Sequence, residues 1–119
     1  MRRVMFILAG SLIMILSGCS NYEIPVPECP VGILDMSFSS EIQPIFNNNC
    51  TSCHSGSQPP DLRKDWAYEE LITGDGYVDT DFPCSSILYE KFSGSHSGRA
   101  TDEEVLKILG WIQDGAQNN

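Results

Sequence analysis

The chain has 119 residues, 41% apolar and 19% charged, a length for one domain that excludes a large two-domain enzyme or a multi-pass channel. Seven Lys and Arg against sixteen Asp and Glu give a net charge of −9, which repels phosphate backbones and sets nucleic acid aside as a partner. Five cysteines is a high and odd count for this length.

The chain opens with Arg2 and Arg3, followed by the mostly apolar run Val4 to Leu16. That run is short for a bilayer span and fits the apolar region of a secretory signal. It ends in Leu16-Ser17-Gly18-Cys19, small residues before a cysteine. This pattern resembles the lipobox of bacterial lipoproteins, which implies a signal peptide over 1–18 and a lipid on Cys19. The alternative is an ordinary signal or an uncleaved anchor with an incidental cysteine. Removing residues 1–18 leaves 101 of the 119 residues and takes the charge from −9 to −11, because Arg2 and Arg3 leave with the segment. The remaining chain is then expected outside the cytoplasm, where disulfides form.

Residues 19–37 read as an extended tether, since Pro25, Pro27 and Pro30 interrupt any helix. The folded domain is expected over 38–119, and it reads as all-α. A first helix is expected from Ser39 or Ser40 to Asn49, with Ile42, Ile45 and Phe46 on one face and Pro44 near the first turn. Two shorter helices are expected over Asp65 to Ile72 and Ser85 to Phe92, with a loop between them. The last helix carries the clearest signals. Thr101 and Glu104 form a capping box, and Val105, Ile108, Leu109 and Ile112 repeat at the spacing of one buried stripe. Gly115 reads as its C-cap. Trp66, Tyr68, Tyr89, Phe92 and Trp111 read as core aromatics.

Between the first two helices stands Cys50-Thr51-Ser52-Cys53-His54, the attachment pattern of a c-type haem. Two thiols at this spacing each form a thioether to one vinyl group, and the adjoining histidine supplies the proximal iron ligand. Covalent attachment also retains the cofactor in a domain whose own core is small. Two other chemistries use the same residues. A thioredoxin-like dithiol requires a βαβ setting, and no strands are evident. A zinc site would combine Cys50 and Cys53 with two of Cys29, Cys84 and His96, at a spacing that matches no common zinc module. With Cys19 given to lipid and Cys50 and Cys53 to haem, Cys29 and Cys84 remain, and a disulfide between them is expected.

Three further stretches carry a family likeness: Glu41 to Phe46 before the motif, Ser85-Ser86-Ile87-Leu88-Tyr89, and the ending Trp111 to Asn119. Over about residues 38–119 the chain resembles the small c-type cytochrome domains of Bacteroidetes-type lipoproteins. The resemblance implies a cytochrome c-like fold, with first and last helices crossing and one haem wedged among the helices. It implies electron carriage. Relatives usually place a methionine, the second iron ligand, in the loop before the last helix. Here methionine stands only at Met1, Met5, Met14 and Met36. The loop Ser93 to Ala100 offers one strong iron ligand, His96. The alternatives to His96 are Met36 and an open iron site.

The function expected from these residues is that of a monohaem electron carrier rather than an enzyme. It would be lipid-anchored to a bacterial membrane, on the periplasmic face or the cell surface. Its acidity suits a redox partner with a basic docking patch. The alternatives are a haem-based sensor or enzyme with an open iron site, and a structural metal-binding lipoprotein.

Overall fold

The computed structural model describes residues 28–119, so the expected signal over 1–18, Cys19 and the first part of the tether lie outside the described residues. Among the described residues there are four α-helices and no strand. They are α1 (Gln43–Asn49), α2 (Ala67–Thr73), α3 (Ile87–Ser93) and α4 (Asp102–Gln113).

The first helical segment starts earlier than its serines suggest. One π-turn, Phe38–Ile42, leads directly into α1. Pro44 has no N–H and its ring crowds the carbonyl four residues back, which accounts for the wider opening turn. Ser37, not Ser39 or Ser40, caps the segment through a hydrogen bond from the Ser40 N–H. Asn119 satisfies two more of the free donors: Phe38 N–H donates to its Oδ1 at 2.9 Å and Ser39 N–H to its backbone carbonyl at 2.9 Å.

Helix α4 begins with the expected capping box, Thr101 and Glu104 each accepting from the other's backbone N–H. Its C-cap is Asp114, one residue before the expected glycine. Gly115 takes φ 92°, Ala116 N–H donates to Trp111 O and Gly115 N–H to Ile112 O. These are the two hydrogen bonds of a Schellman ending, which glycine completes without a Cβ clash.

The apolar stripes of the Phe38–Asn49 segment and α4 meet in the core. Ile42, Phe46, Leu71, Ile108 and Ile112 are fully buried, and burying a side chain of this kind contributes about 1.5–3 kcal/mol. Phe38 packs between Trp111 and Tyr68, each ring centroid 5.2 Å away. The polar tips have partners: Trp111 Nε1 donates to Gln117 O at 2.9 Å and Tyr68 Oη to Ala116 O at 3.0 Å. Trp66 does not join this cluster. It precedes α2 and is 55% exposed.

The described part of the expected tether is extended but tied down. Ile33 N–H donates to Leu106 O at 2.9 Å, and Gly32 N–H donates to Gln113 Oε1 at 2.8 Å. Gln113 Nε2 donates in turn to Pro30 O at 2.8 Å, and Asp35 N–H donates to Asp114 Oδ2. Residues 30–35 thus form a strap along α4. The disulfide Cys29–Cys84, with Cα atoms 5.7 Å apart, joins the strap to the short 3₁₀ turn Pro83–Ser85 ahead of α3.

Candidate functional site

The Cys-x-x-Cys-His segment continues from the end of α1 as a tight turn. Cys50 N–H donates to Phe46 O, and both Cys53 N–H and His54 N–H donate to Cys50 O. The turn brings Cys50, Cys53 and His54 to one cavity of about 600 Å³. That lies within the roughly 300–1,000 Å³ of small-molecule and cofactor sites. Both thiols are free; Cys50 is half-buried and Cys53 exposed. Burial, and then the nearby Glu104 carboxylate, push the Cys50 thiol up to about 11. This is the reverse of the lowered value that activates a dithiol oxidoreductase.

His54 is oriented by backbone. Its Nδ1 lies 3.1 Å from Pro60 O and 3.2 Å from Gln58 O. A carbonyl only accepts, so Nδ1 carries the proton, and the lone pair of the neutral ring is on Nε2. Leu62 N–H donates to His54 O at 2.9 Å, which folds the Gln58–Pro60 loop back under the ring. Such a backbone partner is what holds a metal-binding histidine in one tautomer.

His96 arrives from the other wall. Its N–H donates to Lys91 O at 2.9 Å, so the chain leaving α3 turns back toward the cavity. Its Nδ1 lies 2.9 Å from Ser95 Oγ. The His54 and His96 ring centroids are 6.0 Å apart, with the planes tilted by 39°. Two imidazoles on opposite sides of one metal, with bonds of about 2.0 Å and ring radii of about 1.2 Å, have centroids about 6.4 Å apart. The observed spacing fits one iron between the rings. Burial lowers the His96 pKa, and the neighbouring His54, Lys91 and Arg99 side chains lower it further.

Leu62, Leu71, Ile87, Leu88 and Phe92, with Tyr77, form the apolar part of the wall, and Asn49, Ser52, Gln58, Lys91, Ser95 and Arg99 its polar part. A flat apolar cofactor thioether-linked at Cys50 and Cys53 suits this lining. Phe92 was legible as an aromatic, but Leu62, Tyr77 and the Pro60 carbonyl were not. Pro59 and Pro60, close after His54, were the available signal for a loop folded under the ring. Met36 packs against the core and does not line the cavity.

The zinc arrangement is not assembled. Cys29 and Cys84 are spent in their disulfide, and among the described residues no three His, Cys, Asp or Glu side chains converge as a metal cage. No protein-family model, curated protein or solved structure matches the chain, and the chemistry of the site is read from its own residues.

Proposed function

We propose that the chain is a monohaem c-type cytochrome that carries one electron between redox partners outside the cytoplasm. The observation that carries the proposal is the approach of His54 and His96 to 6.0 Å across a cavity that also holds both motif cysteines. When bound, the haem supplies a ferric–ferrous couple. The chain's own residues do the rest. Cys50 and Cys53 would hold the haem, one thioether from each to its vinyl groups. His54, held by the Pro60 carbonyl, and His96 would supply nitrogen ligands to its iron. Leu62, Leu71, Leu88 and Phe92 keep water from the ring, which lowers the reorganisation that electron transfer requires. No substrate is turned over in this role.

The lipid on Cys19 would tether the carrier to a bacterial membrane; among the described residues no helix is long and apolar enough to cross one. Net acidity, −9 for the whole chain, suits a partner with a basic docking patch. The test is expression in a host with c-type maturation. The expected result is a haem band that stays with the denatured chain and is lost in the double substitution of Cys50 and Cys53 by Ser. A chain without covalent haem overturns the proposal. Ready formation of a carbon monoxide adduct by the reduced protein would overturn carriage in favour of a ligand-binding site.

A further inference from the structure

The chain has sixteen acidic against seven basic side chains, yet the cavity reverses that balance. Lys91 and Arg99 line it, and no Asp or Glu does. Among the described residues the other cations are elsewhere: Arg63 pairs with Asp61, Lys107 pairs with Glu103, and Lys64 is an exposed residue ahead of α2. Among the described residues neither Lys91 nor Arg99 makes an ion pair. Both flank His96 in one turn, since His96 N–H donates to Lys91 O and Arg99 N–H donates to His96 O. Two exposed cations without an ion pair line one cavity in so acidic a chain, which suits an anionic ligand.

The rest of the wall decides which anion. Leu62, Leu71, Leu88 and Phe92 give the cavity a broad apolar stretch where a small hydrated anion would be desolvated at a cost, while Asn49, Ser52, Gln58 and Ser95 add polar groups to the lining. They suit a ligand with a broad apolar body and acid groups confined to one edge. A haem is such a ligand, with two propionate carboxylates. We infer that Lys91 and Arg99 would bind those two carboxylates, one cation to each. This rests on the haem reading above. A carboxylate–cation contact of this kind is a charge-assisted hydrogen bond, stronger than a neutral one. It also offsets negative charge that would otherwise favour ferric iron.

The experiment uses the matured protein and compares K91Q and R99Q with K64Q, which removes a cation away from the cavity. Two readouts are taken: the midpoint potential and the resonance-Raman bending mode of the propionates. K91Q and R99Q are expected to lower the potential and to shift the bending mode to weaker hydrogen bonding. K64Q should leave the mode unmoved. The conservative variants K91R and R99K should restore both, which a merely structural role would not require. A bending mode in K91Q and R99Q that matches K64Q overturns the contacts, even where the potential falls through Coulomb action alone. Absence of covalent haem in the parent protein is a separate outcome, which overturns the cytochrome reading and this inference together. Haem present with an unmoved mode overturns only this inference.

Discussion

Gly32 and Gly110 lie against each other where the strap crosses α4, with no space for a side chain at either. A Cβ on Gly110 would overlap the Ile33 carbonyl and the Ile33 backbone nitrogen, and one on Gly32 would overlap the Gly110 backbone. The hydrogen bond from Ile33 N–H to Leu106 O depends on this close approach.

Gly110→Ala is therefore expected to destabilise the protein. In a free helix alanine is favoured over glycine by about 1 kcal/mol, so the intrinsic effect points the other way. Overpacking against the strap should cost about 1–3 kcal/mol and prevail. Thermal unfolding measures the sign. A raised melting temperature would show that the strap is not held at this crossing.

The disulfide holds the same strap from its other end. Cys29 and Cys84 are 55 residues apart in sequence, and closing a loop of that length should stabilise the fold by about 4 kcal/mol through the unfolded chain. Reduction, or substitution of both cysteines by Ser, should lower the denaturant midpoint by a corresponding amount. Proteolysis should then begin within residues 29–35. Equal midpoints with and without reductant would contradict this.

His96 is expected to govern access to the iron. His96→Ala should turn a reduced protein that resists carbon monoxide into one that binds it, seen as a new band in the ferrous spectrum. His96→Met should raise the midpoint potential, since a thioether favours ferrous iron more than a second imidazole does. An unchanged spectrum and potential in His96→Ala would leave His96 as a loop histidine only.

Glu104 links the start of α4 to the Cys-x-x-Cys-His turn. It completes the cap with Thr101 and accepts a hydrogen bond from Asn49 Nδ2, next to Cys50, at 3.2 Å. The Thr101 backbone N–H is the main influence holding its carboxyl below the ordinary value of 4.5, with the side-chain donors of Asn49 and Thr101 adding to it. A lowered folded-state pKa means that the carboxylate's contribution is full above the ordinary value. It is lost as pH falls through the lower folded-state value. Stability should therefore fall on acidification below pH 4.5, and Glu104→Gln should flatten that part of the profile. At neutral pH the same substitution should cost about 0.3–1 kcal/mol, because glutamine can still accept from the Thr101 N–H and only the negative charge at the helix start is lost. Chemical unfolding at several pH values checks both statements; parallel profiles for the two proteins would refute the first.

The features that local chemistry controls were legible in the residues alone. The Cys-x-x-Cys-His turn follows from spacing over five residues. The Thr101–Glu104 cap is closed within one turn, and the stripe from Val105 to Ile112 follows from helical periodicity. Cys29 and Cys84 emerged as partners by cysteine arithmetic, because the other three thiols had assigned uses. What only the tertiary structure decided depends on groups distant in sequence. Asn119 caps a helix that begins at Phe38, a contact that no local pattern encodes. Residues 30–35 have the composition of a free linker, but two glycines far apart in the chain let them seat on α4. His96 and His54 face each other because the turn after α3 folds back over the cavity. The concentration of Lys91 and Arg99 there, in a chain of net charge −9, comes from packing; net charge counts residues and carries no information on where they meet.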